Sequence, residues 1–297
     1  MNTKTTAVRN KDGIYKRRSQ IAEIWRNYKK NTGAMIALFV LLFIFFIAFT
    51  GDLWISQDKV TSMNVVERLQ WPNAKHWFGT DEMGRDLFWR VLYGSRYSLS
   101  IGFVAVLVSL VIGVPLGAIA GFYGGKTDNI IMRITDMFAA VPGVLLAMVI
   151  VAVLGSSSLN LMIAVGVSGT PQFVRITRAA VLTVKNEEYI EAVRSLGKTE
   201  SYIIARHVLP NCLSPIIVQT TIRLAGAIIQ ASGLSFLGLG IAPPNPEWGA
   251  LLNAGNAFIL TKSYLTIFPG LAIVITVLAF NLVGDGLRDA MDPKLKH

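Results

Sequence analysis

The fold class predicted by this sequence is an all-α membrane protein with six transmembrane helices, and three observations predict it. Only 15% of the 297 residues are charged against 53% hydrophobic, where a soluble chain carries about 25% charged residues. The charge is unevenly spread, because long uncharged windows alternate with charged stretches. Those windows have the length a bilayer demands, since a span needs about 20 mostly apolar residues rising roughly 1.5 Å each.

The windows place the helices in order. Residues 31–51 carry no charge and put the first span near 33–53. Residues 97–125 put the second near 98–121. From 137 to 174 there are 38 uncharged residues, interrupted by the turn-like Gly155-Ser156-Ser157-Ser158. Two spans need about 40 residues, so the third is expected to begin near 130, with Arg133 and Asp136 paired on its first turns. The fourth then covers 159–174, the fifth 215–239 and the sixth 264–283. Pro115, Pro142 and Pro171 are expected to kink their helices, and the glycines over 113–117 to permit close packing. No internal repeat stands out.

Topology follows from the basic residues. Nine Lys/Arg precede the first span, six lie between Arg175 and Arg206, and three follow the last span. The turn at 155–158 has none and the 240–263 stretch only Lys262. Cytoplasmic flanks collect Lys and Arg, so both termini are placed in the cytoplasm. The apolar run near the N-terminus is too long for a cleaved signal and reads as an uncleaved first span. Residues 51–96 hold six Lys/Arg balanced by six Asp/Glu and form an external excursion. Its second half, 80–93, reads as a helix capped by Thr80, with acidic residues at the positive end of its dipole.

Several function classes are excluded. The +10 net charge is accounted for by topology, so a nucleic-acid partner is not implied. A single cysteine, Cys212, gives no disulfide framework or Cys-based metal site, and His76, His207 and His297 show no ligand spacing. Gly125-Lys126-Thr127 and Gly197-Lys198-Thr199 mimic the end of a phosphate-binding loop. Such a loop needs a glycine five positions earlier, where Ala120 and Ala192 stand. No cofactor is therefore expected on this chain.

The cytoplasmic loop over 186–210 is the most informative stretch. Asn186 is a suitable N-cap, with Glu187 and Glu188 in the first turn of a helix over 187–196. Gly197 can stop that helix in the left-handed conformation. Thr199 can then cap a second short helix, which Pro210 ends near 208. Tyr202, Ile203, Ile204 and Val208 would give it an apolar patch, flanked by Arg206 and His207. Such helices either lie on the membrane surface or enter the groove of a cytoplasmic partner.

Here the residues resemble a known family. Glu191-Ala192-Val193, three residues, Gly197, nine residues and then His207-Val208-Leu209-Pro210 is similar to the EAA loop of ABC-importer permeases. Val193 and His207 depart from the usual pattern, and Arg206-His207-Val208-Leu209-Pro210-Asn211 is the form associated with the peptide-importer branch. A second, independent match is Phe78-Gly79-Thr80-Asp81-Glu82-Met83-Gly84-Arg85-Asp86 followed by Gly94-Ser95-Arg96-Tyr97-Ser98-Leu99. It resembles the opening of the C-type permease of dipeptide/oligopeptide importers. Ser235-Phe236-Leu237-Gly238-Leu239-Gly240, Pro243-Pro244 with Trp248-Gly249, and Asn281-Leu282-Val283-Gly284-Asp285-Gly286-Leu287-Arg288-Asp289 continue it.

The resemblance implies the type I ABC importer permease fold, divided into a cytoplasmic segment 1–32, a first span and excursion 33–95, a five-helix core 96–286 and a cytoplasmic tail 287–297. It implies a bacterial or archaeal inner-membrane location, a B-type permease partner, two cytoplasmic ATPase subunits that hold ATP and Mg, an external solute-binding protein, and a peptide substrate. The docking residues it implies are Glu188, Glu191, Ala192, Gly197, Tyr202, Ile203, Arg206, His207, Leu209 and Pro210. Arg223 lies about two turns into the fifth span, where an arginine is costly unless it snorkels, pairs or faces water, and it is the candidate for a translocation path. Nickel or another non-peptide solute is an alternative cargo for a permease of this type. An ATP-independent secondary transporter or channel is the alternative class; it would need more ionisable residues mid-span than Arg223.

Overall fold

The uncharged windows become helices whose outward faces stay apolar. The computed structural model describes residues 20–241 and 243–291, so most of the basic N-terminal segment and the end of the tail lie outside the described residues. Among those described there is no strand, only one isolated bridge between Thr80 and Asp86. Helix α1 (Gln20–Tyr28) is short and amphipathic. Helix α2 (Thr32–Trp54) begins where Asn31 accepts a hydrogen bond from the Ala34 amide at 3.1 Å. Phe39 and Phe49 on α2 are 73% and 82% exposed, in keeping with a surface that lipid covers.

Residues 51–96, expected as an external excursion, differ in their helices from expectation. Their helices are α3 (Gln57–Thr61) and a single 3-10 turn at Val65–Glu67. The expected helix over 80–93 does not start at Thr80. Asp81 accepts from the Met83 and Arg85 amides and folds that stretch into a turn. Helix α4 (Leu87–Tyr123) starts only after Asp86, whose carboxylate caps the amides of Phe88 and Trp89. Thr80 is buried and accepts from the Gln70 amide instead. Helix α4 then runs for 37 residues, so it joins the expected excursion helix to the second span and crosses residue 96 unbroken.

The third span is the largest departure. Helices α5 (Gly125–Ala140) and α6 (Gly143–Leu154) meet at an 87° bend, because Pro142 cannot continue a helix and holds the residue before it extended. Pro115 and Pro171 lie inside helices that continue through them. Helix α7 (Ser158–Val184) contains the expected fourth span and carries it on past Arg175 and Arg178. These arginines correct the expected pairing on α5: Asp136 meets Arg175 at 2.8 Å, not Arg133, and Asp128 takes Arg178 bidentately at 2.6 Å. Packing of α5 on α7 brings acid and base closer than the helix's own spacing would.

Helix α8 (Glu188–Ser195), α9 (Glu200–Ile203), α10 (Leu213–Phe236), α11 (Trp248–Asn256) and α12 (Tyr264–Met291) complete the chain. Four segments are long and apolar enough to cross a membrane: α2, α4, the run Glu200–Phe236 and α12. The bent α5–α6 pair makes a fifth if it is one span. Helix α7, at 27 residues, is long enough, but its polar and charged side chains lower its hydropathy.

Close backbone approach holds the centre. A Cβ on Gly117 of α4 would lie 2.5 Å from the Val174 carbonyl of α7, so those helices touch where only glycine fits. The shared core around them includes Ile101, Phe173, Ile228 and Leu234, each buried. At one end of the bundle the excursion is knitted to the 240–263 loop. Tyr264 Oη donates to the Thr80 carbonyl at 2.8 Å, and Trp248 Nε1 to the Val91 carbonyl at 2.8 Å. At the other end Tyr28 Oη donates to the Ala34 carbonyl, and Gly286 of α12 packs on both residues.

Candidate functional site

Two features are built on this frame, an elbow at one end and a polar stripe along the bundle. The elbow begins as α8, with Glu187 rather than Asn186 at its N-cap. Gly197 ends it at φ +74°, a left-handed conformation that costs other residues roughly 1–2 kcal/mol. Thr199 occupies the N-cap position of α9 as expected, though its side chain makes no capping bond. Arg194 spans the turn and donates to both Glu200 carboxylate oxygens at 3.2 and 3.4 Å. Its guanidinium also lies 5.7 Å from the Phe122 ring at the end of α4.

The elbow is docked on its own chain through its apolar residues. Ile190, Ile203 and Val208 are fully buried and pack with Ala118 and Phe122 of α4 and Val181 of α7. Each such burial is worth about 1.5–3 kcal/mol relative to exposure in water. The expected exposed patch of Ile203, Ile204 and Val208 is therefore corrected, because these side chains face inward and Tyr202 alone of the four faces out. Glu188, Glu191 and Ala192 point outward from α8, and Arg206 outward beyond α9. The His207 ring lies 5.7 Å from that of Tyr202.

The second helix does not stop at residue 208 as Pro210 suggested. The chain widens into a π turn over Ile204–Val208, tightens into a 3-10 turn over Leu209–Cys212 and enters α10 without a loop. Pro210 falls in the first positions of the 3-10 turn, where its missing amide leaves no helical bond unmade. Leu209 is partly buried and Pro210 exposed. The elbow is thus the start of α10.

The stripe lies on α10 and α7. Gln219, Arg223, Gly226, Gln230 and Gly233 recur at helical spacing on one face of α10. Added Cβ atoms show how open that face is: at Gly233 nothing lies within 4 Å, and at Gly226 only Arg223 Nη1, at 3.4 Å. Facing it from α7 are Ser168 and Gln172. Arg223 Nη2 donates to the Val165 carbonyl at 3.0 Å and to Gln230 Oε1 at 3.2 Å. Gln230 Nε2 donates to the Gly143 carbonyl at the α5–α6 bend and to Ser168 Oγ, at 2.9 and 3.0 Å. Gln219 Nε2 donates to Gln172 Oε1 at 3.4 Å.

Four functional-looking residues were not legible in the sequence. Leu196, 76% exposed, forms the elbow's apex beside Gly197. Arg194 and Glu200 are six apart across a glycine, a spacing that no helix rule pairs. Glu247 is fully buried, where it caps α11 through the Gly249 and Ala250 amides, each at 2.9 Å, and accepts from Ser98 Oγ of α4 at 3.2 Å. Burial pushes its carboxyl above the usual value of 4.5, against the pull of those hydrogen bonds. An acidic residue ahead of Trp248-Gly249 was the available signal for this cap.

Apolar helices long enough to cross a membrane, and a docked elbow running into a polar-striped helix, define an integral membrane protein. The comparisons give its kind. Residues 113–297 match the family described as binding-protein-dependent transport system inner membrane component, and residues 19–72 match the N-terminal TM domain of oligopeptide transport permease C. The chain belongs to the binding-protein-dependent transport system inner membrane component family. It is 44% identical, over 92% of its length and 90% of the relative's, to the dipeptide transport system permease protein DppC of Alkalihalophilus pseudofirmus. It is 46% identical to the glutathione transport system permease protein GsiD of Pectobacterium atrosepticum, over 92% of this chain and 91% of that one. Its fold is that of a chain in the inward-facing MetNI methionine ABC transporter, with a TM-score of 0.57 at 21% identity over 69% of this chain and 98% of that one. The fold is thus the type I ABC importer permease fold.

Proposed function

We propose that this chain is the transmembrane subunit of an ATP-driven ABC importer and forms half of the translocation path for di- or oligopeptides. It pairs with a B-type permease, receives solute from an external binding protein and is driven by two cytoplasmic ATPase subunits. ATP and Mg belong to those ATPases, and this chain carries no cofactor. It crosses a bacterial or archaeal inner membrane six times, with α5–α6 and α7 each counted as one crossing and both termini in the cytoplasm. The peptide reading is supported by relatives named for dipeptide and for glutathione.

The observation that carries the proposal is the continuity of the elbow with α10. In this reading Glu188, Glu191, Ala192, Gly197, Tyr202, Arg206 and His207 meet the ATPase, with Leu196 at the apex. Ile203 and Leu209 shape the elbow from its inner side, and the exposed Pro210 stands at the start of the 3-10 turn that leads into α10. The buried contacts with the ends of α4 and α7 make it a lever and not a free flap. ATP binding shifts the ATPases, the elbow follows, and the π and 3-10 turns pass the displacement into α10, which carries Arg223. Such a device needs two discrete arrangements biased from both ends. Arg223 and the stripe line the path between this chain and its partner.

Reconstitution in liposomes tests this. The two permeases with both ATPases and the binding protein are expected to accumulate a labelled dipeptide in the presence of ATP and Mg, and not with ADP. Uptake by this chain without the ATPases would overturn the proposal in favour of a secondary transporter.

A further inference from the structure

We propose that Arg223 is an anion-binding subsite that takes the carboxylate of the passing solute; this rests on the stripe being the path. A guanidinium within a membrane-spanning helix is costly unless it faces the bundle interior or water and pairs with an acid or with backbone carbonyls. Among the described residues no carboxylate forms an ion pair with Arg223. The bonds it makes go to a carbonyl and an amide oxygen, both neutral, and its Nε has no partner. The positive charge is therefore solvated but not neutralised.

The surroundings hold the guanidinium in one place. Gln230 has committed both bonds of its amide nitrogen, to Gly143 and Ser168, so its oxygen must face Arg223. A Cβ on Gly169 would come within 2.4 Å of Nε and displace the group, so glycine there makes room for it. Beyond Gly226 and Gly233 the face is open. With both Nη2 hydrogens used and Nε buried beside Gly169, Nη1 is the donor left toward the open face at Gly226, where it can make a charge-assisted bond to a carboxylate. Its sign is as informative as its shape. A metal cation or positively charged chelate would be repelled, whereas a peptide with a free C-terminus would be held. Partial solvation by neutral oxygens keeps the site weak enough for the solute to leave.

The test uses the full complex in liposomes. The probes are a dipeptide with a free C-terminal carboxylate and its C-terminal amide, each at concentrations that saturate the binding protein. Arg223→Gln is expected to lower uptake of the free acid 10-fold or more and uptake of the amide less than 2-fold. Arg223→Lys, which keeps the charge without the fork, should fall between wild type and Arg223→Gln. Equal loss with both probes overturns the subsite, as does failure of Arg223→Gln to co-purify with the second permease, which would make Arg223 an interface ion pair. A separate measurement reports on the path itself. Gly233→Cys in a Cys212→Ala background should react with a charged, membrane-impermeant thiol reagent. Absence of labelling in every nucleotide state overturns the path reading, whatever Arg223→Gln does. Labelling with no discrimination by Arg223→Gln removes the subsite alone.

Discussion

Glu247 shows how much one side chain can hold together in this fold. Its carboxylate satisfies the first free amides of α11 and also accepts from Ser98 on α4, so it joins two helices that the chain brings together only late. Loss of such a cap costs about 1 kcal/mol or more. Burial raises its carboxyl above 4.5, so the proton is bound more tightly in the folded protein than in the unfolded chain. Folding stability from this group is then fullest below 4.5 and is lost as pH rises through the elevated value. The unfolding midpoint of the purified complex in detergent should therefore decline as pH rises through that window, with the slope reduced in Glu247→Gln. A steeper slope in the variant would contradict this account. The contact of Glu247 with Ser98 spans 149 positions and leaves no local trace in the sequence. Gly197 was legible because its requirement is local: a helix stops there and only a left-handed residue continues the chain.

At the scale of elements, charge patterning gave the spans well and their ends poorly. The excursion helix and the second span were read as two elements, and they are one because Asp86, not Thr80, supplies the cap. The third span was expected to kink at Pro142, and the kink is an 87° break that divides it into α5 and α6. The apolar residues over 203–208 were read as an outward patch, since periodicity marks an apolar face without saying what covers it. Their cover is the ends of α4 and α7. The elbow that results depends on its direction of turn. Gly197→Val would force a β-branched residue into a left-handed conformation, at a cost of about 1–3 kcal/mol, and tilt α9 away from its seat. Transport in liposomes is expected to fall 10-fold or more, while ATP hydrolysis by the assembled complex changes less than 3-fold, at about 1.4 kcal/mol for each factor of 10. Wild-type transport in this variant would show that the elbow does not depend on that glycine.

In the proposed function the whole molecule acts as a lever whose two ends lie in different compartments. Trp248 of α11 and Tyr264 at the start of α12 tie those helices to the 51–96 stretch, fixing one end of the bundle. At the other end the elbow leads into α10 with no loop between them, and in the proposed function movement there is carried past Arg223. The central claim is that the elbow apex meets an ATPase subunit. A photo-crosslinking amino acid placed at Leu196 in the intact complex measures this directly. An adduct with the ATPase subunit is expected from position 196, and none with it from Trp77 in the excursion. An ATPase adduct from Trp77 with none from Leu196 would contradict the claim.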